Sequence, residues 1–222
     1  MEYIKHILAV TCIALICSCT TNAPVNENIA AKPIKNIKFD VKYYESDLSE
    51  ISTTKDKDIA ISFPPIRGNF AGGALLQHAP VLHLNESEVV DIPVQDFAEF
   101  FNIFSASVDE TSTVSNLDIS PKDTKIVRLG TKVTLQNNDT TLGETAFVNN
   151  KTSQNVILVY FDRACKIKGN YNMGGEVILI DISIPEPGAY WLNAQKVDSK
   201  TFCFRTAKDN DSISFAIFPN GM

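Results

Sequence analysis

His78 and His83 are the residues whose chemistry most needs testing, because with Glu86 and Glu88 close behind they supply the donor types of a zinc site. Their spacing fits neither the ligand pair of one helix face nor that of a hairpin, so the sequence predicts no metal. Either histidine could act as a general base. A nucleophile elbow of the form G-x-S-x-G is absent, however, and no catalytic residue is assigned. A calcium loop would need ligands beyond Asp209 and Asp211, and neither the Gly nor the Glu it requires follows at the right offset.

Two glycine-rich stretches, RGNFAGG at 67–73 and KGNYNMGG at 168–175, raise the possibility of phosphate cradling. Such a loop lies between a strand and a helix and ends in Lys-Ser/Thr, or is followed by an acidic residue within a βαβ unit. Neither stretch has that ending, and the second sits between two strand patterns. Both therefore read as hairpin turns, in which Gly and Asn supply positive φ angles, and no cofactor is expected. Loop tips can still carry recognition, which makes Asn69, Phe70, Tyr171 and Met173 the candidate partner contacts.

The opening segment MEYIKHILAVTCIALICSCTTN has a short basic n-region, an apolar run from Ile7 to Cys17, and then small and polar residues. That is the anatomy of a secretory signal, and its apolar run is roughly half the 20 residues a spanning helix needs. Within it, Ile16-Cys17-Ser18-Cys19 resembles the lipobox of bacterial lipoproteins. The resemblance implies cleavage before Cys19, a diacylglyceryl group on its sulfur and an acyl chain such as palmitate on its amine. Thr20 stands where an Asp would resemble an inner-membrane retention signal, which points to the outer membrane of a Gram-negative envelope. Residues 1–18 are then the signal peptide, and 19–36 the lipid-attachment site and a flexible tether rich in Asn, Ala, Pro and Thr.

Of five cysteines, only Cys165 and Cys203 remain in the body beyond the signal. In an oxidising compartment two such residues are expected to pair, closing a loop worth roughly 4 kcal/mol on the chain-entropy estimate.

The body reads as mainly β. Ile37, Phe39, Val41 and Tyr43 alternate with polar residues, Ile59, Ile61 and Phe63 repeat the pattern, and VLHL and EVVDIPV follow, the last on an edge because of Pro93. Phe97, Phe100, Phe101 and Phe104 fall at helical spacing, predicting one amphipathic helix over 96–105 with Asp96 and Glu99 at its cap and the phenylalanines in the core. Residues 107–124 are polar and mark a linker between an N-terminal β-rich region, 37–106, and a domain over 125–222. In that second stretch short strand signals crowd together with Gly, Pro and Asn turns. They favour an antiparallel β-sandwich, immunoglobulin-like or similar.

A net charge of -6 with interspersed signs offers no basic face, so no nucleic-acid partner is expected. The function expected from these readings is a lipid-anchored, non-catalytic binding or assembly module of the cell envelope, with the membrane and a protein or glycan as partners. The alternative is an envelope hydrolase assembled around His78 or His83.

Overall fold

The computed structural model describes residues 31–44, 50–51, 59–62, 65–66, 81–84, 89–108, 115–130, 132–135, 143–207 and 212–219. In the first half the strands are β1 (Asn36–Tyr44), β2 (Glu50–Ile51), β3 (Ile59–Ser62), β4 (Pro65–Ile66), β5 (Val81–Leu84), β6 (Val89–Pro93) and β7 (Ala106–Ser107). Then come β8 (Ser115–Ser120), β9 (Lys125–Leu129), β10 (Lys132–Leu135), β11 (Gly143–Asn149) and β12 (Gln154–Phe161). The chain continues with β13 (Cys165–Met173), β14 (Glu176–Ile184), β15 (Gly188–Lys196), β16 (Thr201–Thr206) and β17 (Ile213–Pro219). The fold is mainly β with one short helix, as expected. Its main sheet is mixed, because β1 runs parallel to β17 and β14 parallel to β16.

The strand β12 organises the rest. Its sequence QNVILVYF is apolar on both faces, so it suits a strand buried on both sides. Register pairs Leu158 with Trp191 of β15 and Leu129 of β9, while the next residue, Val159, pairs with Tyr190 and Arg128. Successive side chains point to opposite faces, so the two rows enter different cores. Leu129, Leu158 and Trp191 belong to a first core shared with β1, β11, β17 and the helix. At its centre Phe147 meets Phe39, Trp191 and Phe215 with ring centroids 4.9–5.1 Å apart, edge-on or tilted geometries worth about 0.5–1.5 kcal/mol each beyond burial.

The second core takes the other face. It draws on every strand of the run β9-β12-β15-β16-β14-β13-β8, including Ile126 at one end and Ile119 at the other. Seven successive strands thus bury the same face, as they do when a sheet curls round on itself. On β14 the expected alternation is observed: Ile178, Ile180, Ile182 and Ile184 are all buried. The opposite face of the curl carries the row Asp118, Lys168, Asp181 and Arg205, one residue from each of four adjacent strands and alternating in sign. Lys168 Nζ lies 3.4 Å from Asp181 Oδ1. Such exposed pairs add little energy but set register and keep the face solvated.

The helix begins as a 3-10 turn, Val94–Phe97, and continues as α1, Ala98–Phe104. Phe97 and Phe101 are buried and Phe100 and Phe104 partly so, all packed against the first core, with Phe101 stacked on Tyr160 at 4.3 Å. The expected capping role of Asp96 and Glu99 is not realised, because the helix proper starts at Ala98 behind Phe97 and neither turn has a side-chain cap.

The linker expected at 107–124 is corrected too. Residues 115–120 form β8 and pair with β13 over six positions, while Val108 and Thr124 are buried. Strands from the first half also join the sheet of the second, β1 on β17 and β4 and β7 on β9. The second glycine stretch is a hairpin as expected, with φ of 60° and 88° at Gly174 and Gly175 between Met173 and Glu176, as a two-residue type I′ turn requires. Gly169 lies inside the strand, where a Cβ would fall 2.0 Å from the Asn116 carbonyl oxygen of β8.

Phe101→Ala should lower unfolding stability by about 3–5 kcal/mol in urea titration, because a stacked, buried ring is lost. On the same helix Ile103→Ser, at a side chain 57% exposed, should change it by less than about 0.5 kcal/mol.

Candidate functional site

Polar groups within the second core are the natural place to look for a site. The segment KIVRL of β9 sends Val127 and Leu129 into the first core and Ile126 and Arg128 to the other face. On β13, Tyr171 faces the same interior at 7% exposure, and its hydroxyl has no hydrogen-bond partner among the described residues. Arg128 and Tyr171 belong to different register rows. Arg128 aligns with Val159 and Tyr190, whereas Tyr171 aligns with Ile178 and, through it, Phe202.

The two groups nonetheless act on each other's titration. Burial pushes the Tyr171 hydroxyl up to about 12, with the Arg128 charge working against it. Burial also lowers the Arg128 guanidinium below its ordinary value. On its outer edge β9 is paired with β4 and β7, and Arg128 stands in register with Ile66 of β4. Arg128 keeps part of its surface, although its Nε is buried. A second buried acceptor, Asn193 Oδ1, faces the first core instead, in register with Val156.

The cysteines are corrected outright. Both thiols are free and buried. Cys165 aligns with Ile184 of β14 and Cys203 with Leu179, five positions away and therefore on the opposite face of the sheet. Their separation is roughly 16 Å along the strands and about 10 Å across two strand spacings, far beyond the roughly 7 Å a disulfide can bridge. Burial also pushes the Cys165 thiol up to about 11, which removes it as a nucleophile at neutral pH.

The expected binding tips fare unevenly. Tyr171 is a core residue, and so it cannot be an exposed contact. Met173 ends β13 opposite Glu176. Asn69, Phe70, His78 and the lipobox Cys19 lie outside the described residues. His83 stands on β5 in register with Ala60 of β3, a pairing that brings no second titratable residue to it.

An exposed ionic knot joins the 121–124 and 162–164 turns. Asp162 Oδ1 accepts the Lys125 amide at 2.8 Å, and Arg163 bonds to both Asp162 and Asp123. It fastens two turns and presents no reactive group. Among the described residues no three His, Cys, Asp or Glu side chains could share a metal ion, and no helix is long and apolar enough to cross a membrane. No family model, curated protein or solved structure matches the chain.

Alkylation of the unfolded protein without reductant, read by peptide mass, should label both Cys165 and Cys203. Stability should depend on alkaline pH in a defined way. A thiol raised from 9.0 to about 11 stays protonated longer in the folded chain than in the unfolded one. Its contribution is therefore complete below pH 9 and lost between pH 9 and 11. Tyr171 and Tyr190, raised from 10.0 to about 12, extend the fall above pH 10. Cys165→Ala should flatten the part that begins at pH 9 in chemical denaturation followed across that range.

Proposed function

We propose that the chain is a lipid-anchored protein of the cell envelope, held at the outer membrane through Cys19, whose β body is a non-catalytic module that binds or helps assemble a protein or glycan partner. The observation that carries the reading is where the chain from Cys19 meets the body. Ala31 packs against the second core, and the Ile34 amide donates to the Ala189 carbonyl at 2.9 Å. Pro33 lies so close over Gly188 that a Cβ there would fall 2.6 Å from the proline ring. The root of the tether is thus seated at the end of the curled sheet where β15 begins.

Turns 121–124, 162–164 and 185–187 share that end. The Gly174–Gly175 hairpin closes the other end of β13 and β14, strands of nine residues, roughly 30 Å away. In this reading the first end faces the lipid and the hairpin end faces outward to the partner. The buried, high-pKa Cys165 thiol and the knot of structural charges support binding over catalysis. The sandwich expectation enters here in altered form: two β layers pack across the first core, and one of them curls round a core of its own.

The test is intact mass and membrane fractionation of the full chain expressed in a Gram-negative host, beside Cys19→Ser. Expected are a product that starts at Cys19, carries diacylglyceryl and acyl groups and sediments with outer membrane, and a variant that carries neither. A wild-type product without lipid, or one that leaves the membrane fraction unaided, would overturn the anchored reading.

A further inference from the structure

We propose that the outer edge of β8 takes up an extended segment of a protein partner as an added strand, one that carries a lysine or arginine between two apolar residues. β8 stands at the end of the run β14-β13-β8, with β13 on one edge and no strand on the other among the described residues. An edge strand presents a row of unpaired backbone donors and acceptors, which proteins commonly blunt with lysine, proline or a bulge. The sequence of β8, SNLDIS, contains neither lysine nor proline. Leu117 and Ile119 turn to the second core, and Leu117 is only partly covered there. Asp118 turns the other way and ends the alternating row Arg205, Asp181, Lys168, Asp118. Because Lys168 Nζ is committed to Asp181, Asp118 has no ion pair among the described residues. On β6, the strand at the edge of the first core, the corresponding charge is already answered: Asp91 accepts from Asn36 Nδ2 at 2.6 Å and pairs with Lys38 Nζ at 3.8 Å.

The pattern of the occupant follows from strand geometry. A residue set opposite Asp118 shares its face, so a cation there meets the carboxylate, while the residues before and after it turn inward beside Leu117 and Ile119. A second copy of β8 does not fit this description, because SNLDIS holds no basic residue and would bring another carboxylate instead. The inference rests on the reading of the body as a binding module and commits its partner to protein; its test reads the edge and is independent of Cys19 and the lipid. Purified full-length protein is titrated at low ionic strength with the capped peptide Ser-Thr-Val-Lys-Val-Thr-Ser and with the same peptide carrying Glu in place of Lys. Calorimetry gives the affinity and amide hydrogen exchange the place.

The expected result is saturable binding of the Lys peptide with new protection of amides within residues 115–120, since an added strand occupies backbone groups that side-chain contact alone leaves open. The Glu peptide should bind about three- to tenfold more weakly, the range of one cross-strand charge pair turned repulsive. Asp118→Lys, a change at an exposed side chain that leaves the fold intact, should invert that preference, whereas Asp91→Asn on β6 should leave it as it is. Equal affinity for the two peptides, a preference that survives Asp118→Lys, or protection confined to β6 would overturn the proposal, as would the absence of binding. Protection of β8 that grows with protein concentration and needs no peptide would overturn it in favour of a second copy.

Discussion

A three-stranded wall, β9, β12 and β15, is buried on both of its faces, and the remaining architecture follows from that constraint. A strand wetted on one side needs a single covering layer. One that is apolar on both sides needs two, or must have its own sheet turn back over it. Both solutions occur here. The face with Leu129, Leu158 and Trp191 is covered by β1, β11, β17 and the helix, and the face with Ile126, Val159 and Tyr190 by the curl that continues through β16, β14, β13 and β8. The aromatic cluster about Phe147 and the Phe101–Tyr160 stack fill the first space with large rigid rings. Branched aliphatics, chiefly the four isoleucines of β14, fill the second.

The two parallel pairings follow from the same demand. After β16, the chain must place β17 on the far side of the wall to close the first core. There β17 accepts β11 antiparallel on one edge and β1 parallel on the other. The N-terminal strand thus seals a core built mostly from the C-terminal half. Residues 31–35 are drawn onto the start of β15, so the position of this segment is set by packing.

How much of this was legible depended on how local the deciding interaction is. Strands with one wet face announced themselves by alternation, as Ile37-Phe39-Val41 and the β14 isoleucines show, because burial of one face needs no knowledge of the partner. The phenylalanine stripe was legible for the same reason. β8 was hidden because only Leu117 and Ile119 of its six residues are apolar, and its place is fixed by six pairings to β13 some fifty residues later. The cysteines show the limit most clearly: compartment argues for a disulfide, but pairing depends on face and register. Both were set by the odd offset between Ile184 and Leu179 on a strand neither cysteine belongs to. Tyr171 was misplaced by its neighbours, because the Gly174–Gly175 turn is shorter than the glycine-rich stretch suggests and leaves Asn170 to Met173 within the strand.

Arg128 shows how the architecture overrides a local reading. In KIVRL the alternation alone would let Arg128 be the wet face of an ordinary strand, with Val127 and Leu129 inside. Because β9 belongs to the two-faced wall, its second face also turns inward, and Arg128 lies on the side of the second core, partly buried. Taking a cation out of water is costly, and that cost lowers the Arg128 guanidinium below its ordinary value. The two-sided burial that stabilises the fold therefore also turns a guanidinium and a phenol towards one interior, the two polar groups that this core must accommodate.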